Sequence, residues 1–268
     1  MLPVGAERKP LRSPVVDDQA VAQGEGEQTI VEPKAAKRRT PLVRAWTSRA
    51  KGATYGRNMS LLDDLDWSQV RSHYDDRVAV HRRLLKFHDA NPQAFAQLLL
   101  GVSDSTGNFS AAEHNLGPKI LSNPNALERI GELATNFRTL KTARPVPGLI
   151  RKAALAYLKI GVGSEASCLM NPGVCWVANT RTIWTHLVIK HADNIGKANE
   201  ELKLYRDSDP SSEMAYKIWC EIHRLLETSM TRIAEEGKRR GRVAGVEPGE
   251  IMYLWADAIA NELYAQHQ

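Results

Sequence analysis

A chain of 268 residues with 43% hydrophobic and 25% charged residues has the composition of a globular protein, with room for one large domain or two small ones. No apolar run is long enough to span a bilayer, and residues 1–30 lack the apolar stretch of a secretory leader; a cytoplasmic protein without membrane association is expected. The net charge of +5 resides in residues 1–58, which carry eleven Lys/Arg and six Asp/Glu, while the other 210 residues carry 25 of each.

The three cysteines, Cys168, Cys175 and Cys220, are too few for a disulfide framework and odd in number, so reduced thiols are expected. Cys168 and Cys175 with the downstream His186 and His191 match no common zinc spacing, and neither a metal nor a cofactor is expected.

In chain order, residues 1–58 are rich in Pro, Gly, Gln, Glu, Lys and Arg and lack periodicity. Such a composition cannot offset the entropy of ordering the backbone, so a disordered basic tail is expected, most basic over 34–49. It would touch nucleic acid, act as an address or aid solubility. From Met59 onward the pattern turns helical. Trp67, Val70, Tyr74, Val78, His81, Leu84 and Leu85 recur at three- and four-residue spacing, and His81 on that stripe reads as a packing residue. Asn91-Pro92 is a cap followed by proline in the first helical turn, ahead of Phe95, Leu98 and Leu99.

Residues 101–117 are polar and turn-rich and read as a loop. Asn123-Pro124 repeats the cap, and Leu127, Ile130, Leu133, Ala134, Phe137 and Leu140 form an apolar face that Pro145 and Pro147 end. A short helix over 149–158 stops at Gly161 and Gly163, and Ile183, Trp184, Leu187 and Val188 mark another. Asp209-Pro210 opens a long helix carried by Met214, Ile218, Trp219, Ile222, Leu225, Leu226, Met230 and Ile233, followed by a basic loop at 237–242. Ile251, Leu254, Trp255, Ala258, Ile259 and Leu263 finish the chain. No alternating pattern marks a strand, so about eight helices with short connections predict an all-α multi-helix bundle over 59–268.

Charge is segregated within that bundle. Between Leu133 and Ala192 the single acid is Glu165, against Arg138, Lys141, Arg144, Arg151, Lys152, Lys159, Arg181 and Lys190. Clustered cations of this kind suit a polyanion, whose counterions they release. A solvated face balanced by acids elsewhere in the fold gives the same sequence.

The most informative stretch lies inside that segment. Ile160-Gly161-Val162-Gly163 is followed by Ser164, Ala166 and Ser167, and two glycines around one apolar residue allow a tight hairpin with outward N–H groups. A phosphate would sit on those donors and on the start of the next helix, with Val162 anchoring the hairpin from below. Downstream comes Val177-Ala178-Asn179-Thr180-Arg181-Thr182. Together these elements resemble the helix-hairpin-helix DNA glycosylase superfamily, in which a Leu-Pro-Gly-Val-Gly-x-Lys-x-Ala hairpin precedes a Val-Asp-Thr-x-Val element. The resemblance covers residues 145–190 directly.

What the resemblance implies is a glycosylase-like helix-hairpin-helix fold and duplex DNA as the partner. Gly161, Val162, Gly163 and Ser164 would grip a phosphate, with Lys159, Arg151, Lys152 and Arg181 around them. The chain departs from the pattern in its acid–base groups: the family's aspartate falls on Asn179 (on Ala178 with a one-residue shift), its lysine on Glu165 and its hairpin proline on Ile160. An amide lacks the full negative charge that a cationic sugar requires. The iron–sulfur cluster of some relatives needs four cysteines where this chain has three. If the protein is an enzyme, the implied reaction is hydrolysis of the N-glycosidic bond of a flipped base, with Glu165 and Asn179 as catalytic candidates. Their ordinary structural roles would be a helix-surface acid and a capping amide. Trp176, between the two elements, would pack in the core or stack on an exposed base. The alternative function is a non-enzymatic helical interaction protein, a delivered effector or an inhibitor, that recognises a protein partner.

Overall fold

A computed structural model of the chain describes residues 59–206 and 213–268, which form eleven α-helices and two single-turn 3-10 helices; among the described residues there is no strand. The expected tail over 1–58 and the helix start at Asp209-Pro210 lie outside the described residues.

Helix α1 (Trp67–Ala90) starts where the Asp66 carboxylate accepts the backbone N–H groups of Ser68 and Gln69, and it buries Trp67, Val70, Tyr74, Val78 and Leu84. His81 closes the stripe with a hydrogen bond between Nδ1 and the Leu169 carbonyl at 2.6 Å. In α2 (Pro92–Leu99) Asn91 caps the first turn and Phe95, Ala96, Leu98 and Leu99 are buried.

The region expected to be a loop instead holds a 3-10 turn at Ser105–Gly107 and two short helices, α3 (Phe109–Glu113) and α4 (Leu116–Leu121). Asp104 and Asn108 cap the 3-10 turn and α3 through their side chains, so the polar residues that suggested a loop are serving as helix starts. Asn123 likewise departs from expectation. Its amide satisfies the Lys119 and Ile120 carbonyls at the end of α4, and α5 (Ala126–Thr139) begins three residues on, after Asn125 in a left-handed conformation.

Pro145 and Pro147 open α6 (Val146–Ala153) rather than only ending α5, as proline can in a first helical turn. Then follow α7 (Ile160–Met170), α8 (Thr180–Lys190), α9 (Ile195–Arg206), α10 (Glu213–Val243) and α11 (Met252–His267). The basic stretch 237–242 lies inside the last turns of α10. Arg240 is buried there, paired with Asp63 and Glu236.

Three helices lie inside. α7 is buried continuously from Val162 to Met170, α8 from Thr182 to Ile189, and α11 from Tyr253 to Ala260. α11 packs on α1, α8 and α10, and α7 packs on α1, α5 and α6. A helix enclosed on all sides carries no polar stripe, and this arrangement places α7 between the core and the surface connection that precedes it.

Candidate nucleic-acid interface

Helices α6 and α7 are joined by a six-residue turn, 154–159, with Leu155 and Leu158 buried beneath it. The turn is fastened to the rest of the fold. Arg129 donates to the Ala153 carbonyl through Nε at 3.0 Å and also through Nη2, and Asn123 accepts the Ala156 N–H at 2.8 Å. The glycines expected to form the hairpin do not form it: Gly161 and Gly163 lie in the first turn of α7, and the Gly163 N–H bonds the Lys159 carbonyl at 2.8 Å. No side chain caps this helix start.

Of the four residues expected to grip a phosphate, Gly161 alone is partly exposed, whereas Val162, Gly163 and Ser164 are buried. Gly163 has a packing reason: a Cβ there would stand 2.5 Å from Ile150 Cδ1, so its absence lets α6 approach α7. Gly163→Ala is expected to cost about 1–3 kcal/mol in urea denaturation. A loss below a few tenths would show that Ile150 repacks freely. Ser164 ties the second element to α7, its hydroxyl accepting the Ala178 N–H at 2.8 Å.

Glu165, 1% exposed, points into the protein. Its Oε1 accepts the Phe109 N–H at 2.8 Å and its Oε2 the Ser110 N–H at 3.1 Å, so the carboxylate holds the start of α3. Arg77, fully buried, lies 3.3 Å from Glu165 Oε1 through Nη1, and its Nε lies 3.5 Å from Asp257 Oδ2. The same Nη1 donates to the Thr106 carbonyl at 2.7 Å. Burial pushes the Asp257 carboxyl above the usual carboxylate range, and the Arg77 guanidinium opposes that shift. The acid expected on a helix surface is thus one arm of a buried Arg77–Glu165–Asp257 cluster.

Sequence reading passed over Arg77 and Asp257. Their signal was a charge on an apolar surface: Arg77 follows Tyr74 at stripe spacing, and Asp257 falls between Trp255 and Ala258. Beside the cluster, the His73 ring stacks on Phe109 at 5.1 Å between centroids. Burial pulls its pKa down to about 4, with Arg77 adding to the effect.

Asn179 is the N-cap of α8. Its Oδ1 accepts the Arg181 and Thr182 N–H groups at 3.0 and 3.1 Å, and the Thr182 hydroxyl accepts the Asn179 N–H at 3.1 Å in return. Arg181 is half-buried, 3.3 Å from Glu113 and with its guanidinium 5.9 Å from the Phe109 ring centroid. Trp176 belongs to the core, where it donates to the His223 carbonyl at 2.8 Å and stacks on the His223 ring.

Arg151, Lys152 and Lys159 are exposed on and beside the α6–α7 connection, as are Arg138, Lys141 and Arg144 before it. The two cysteines considered for metal binding are buried thiols. Burial raises Cys168 well above its ordinary value and Cys175 to about 12, which disfavours the thiolate. Among the described residues no three His, Cys, Asp or Glu side chains converge as metal ligands do, and no described helix is long and apolar enough to cross a membrane. No protein-family model, curated protein or solved structure significantly matches this chain.

Proposed function

We propose that this protein binds duplex DNA through the α6–α7 connection, in the manner of a helix-hairpin-helix protein of the glycosylase type. One observation carries the proposal. The single acid of residues 133–192 is turned into the core, so the exposed charges of that segment are all positive. Lys152 and Lys159 stand at the surface beside an uncapped helix start whose Gly161 is partly exposed, and Arg138, Lys141 and Arg144 are exposed farther along, where Asn171 at the other end of α7 donates to the Phe137, Arg138 and Leu140 carbonyls. Phosphates are attracted to both features.

Binding is better supported than base excision. Glu165 is committed to Arg77 and to two backbone amides, and the Asn179 amide is committed to capping α8. Neither group is presented to a substrate.

The test is a fluorescence-anisotropy titration of the full chain with a duplex oligonucleotide across a salt series. Because residues 1–58 are also basic, the site is located by Lys152→Glu with Lys159→Glu, both exposed and outside the core. The double variant is expected to bind at least about tenfold more weakly and to flatten the dependence of log affinity on log salt by about two phosphate contacts. Unchanged affinity and slope would remove this surface from consideration.

A further inference from the structure

Tyr157 has a backbone φ of 68°, in the left-handed region, and its side chain is 51% exposed. Side-chain-bearing residues resist this conformation because Cβ crowds the following carbonyl, and glycine or asparagine fills such positions at less cost. The turn itself holds Tyr157 there, with the Leu158 N–H bonding the Leu155 carbonyl at 3.2 Å and the Lys159 N–H bonding the Tyr157 carbonyl at 3.0 Å. The apolar anchors of the turn are Leu155 and Leu158, both buried, and the Tyr157 ring adds little to the core. The turn is held on both flanks by Asn123 and Arg129, so the ring is displayed from a braced scaffold. Strain at an exposed aromatic on a rigid turn is characteristic of a binding position.

The surroundings specify the ligand. Lys119 Nζ lies 5.7 Å from the Tyr157 ring centroid, Lys159 follows two residues later, and Lys152 lies on the preceding helix. A flat π face among cations suits a group that is itself flat and flanked by anions, namely a nucleobase between phosphates. Bases inside an intact duplex hide their faces, so the matching ligand is an unpaired base.

We infer that Tyr157 is a stacking platform for an unpaired nucleobase in the DNA that the α6–α7 connection grips. This inference rests on the DNA-binding proposal above and assigns a structural preference to it.

The experiment compares the full chain on two probes of equal length, a fully paired duplex and the same duplex carrying one extrahelical 2-aminopurine. The bulged probe is expected to bind about tenfold more tightly, with its fluorescence quenched on binding. Tyr157→Phe should keep the preference. Tyr157→Gly should abolish it, leave paired-duplex affinity and its salt slope unchanged, and raise the melting temperature by relieving the left-handed strain. A rise in stability together with loss of the preference separates a recognition residue from a folding one. Equal binding of both probes by the parent, or a preference that survives in Tyr157→Gly, would overturn the inference while leaving duplex binding intact. Absence of salt-sensitive binding to either probe would overturn both proposals. A fall in melting temperature for Tyr157→Gly would instead assign the ring to folding.

Discussion

Replacing Arg77 by methionine is expected to destabilise the fold by about 3–5 kcal/mol, the usual cost of removing one partner from a buried ionic group. The guanidinium touches three separate parts of the chain: the Thr106 carbonyl, Glu165 on α7 and Asp257 on α11. Without it Glu165 keeps its two amide donors, but Asp257 loses its ion-pair partner and keeps the Asn261 amide, 3.2 Å from Oδ1, and the positive charge of Arg181. Urea denaturation of the single variant and of Arg77→Met with Glu165→Gln measures the coupling. The double variant should lose clearly less than the sum of the two singles, because each single change strands the other's partner. A loss below about 1 kcal/mol for Arg77→Met would show that the cluster contributes little to stability. Arg77 also faces Phe109 at 5.5 Å, so the variant should loosen the start of α3 first, detectable as faster amide exchange at Phe109 and Ser110.

Acid is expected to unfold the protein before its carboxylates protonate. His186 is buried between α8 and α10, its Nδ1 2.7 Å from the Ser229 hydroxyl, and His223 is buried against Trp176. Burial pulls both down to about 4 from an ordinary 6.5; for His186 the nearby Lys190 acts in the same direction. A depressed histidine keeps the native state neutral while the unfolded chain takes up protons. Its stabilising contribution is therefore complete above pH 6.5 and is withdrawn as pH falls towards 4. At pH 5 each histidine withdraws about 2 kcal/mol, so the pair withdraws about 4 kcal/mol. Depressed carboxylates such as Glu236, held near 2 by Arg239 and Arg240, withdraw stability only below their ordinary 4.5, and the raised carboxyl of Asp257 acts in the opposite direction, so a loss between 6.5 and 4.5 reports the histidines. Thermal melts at half-unit steps should show the fall, and His186→Gln, which retains a hydrogen-bonding group for Ser229, should make it shallower. A melting temperature constant from pH 7 to 4.5 would sink the expectation.

Much of the architecture was legible from local chemistry. The stripe from Trp67 to Leu84, the Asn91-Pro92 start of α2 and the apolar face of α5 all describe amphipathic helices on the outside of the bundle. Such a helix writes its burial into its spacing, because one face meets water and the other does not. The absence of alternating patterns likewise pointed to the all-α class.

Tertiary structure decided the rest. α7 is enclosed on every side, so it has no stripe, and its glycines read as a hairpin when Gly163 in fact makes room for Ile150. The polar run at 101–117 became caps and short helices because α3 rests on the carboxylate of Glu165, more than fifty residues away in sequence. The same contact turned the candidate catalytic acid inward, and the capping geometry at the start of α8 took up Asn179. Sequence by itself determined the helical class, the outer helices and the segregation of charge, since these depend on residue type and short-range periodicity. Which charges reach solvent depended on pairings between residues far apart in the chain: Glu165 is withdrawn by Arg77 while Lys152 and Lys159 remain outside, and only the folded packing brings such groups together.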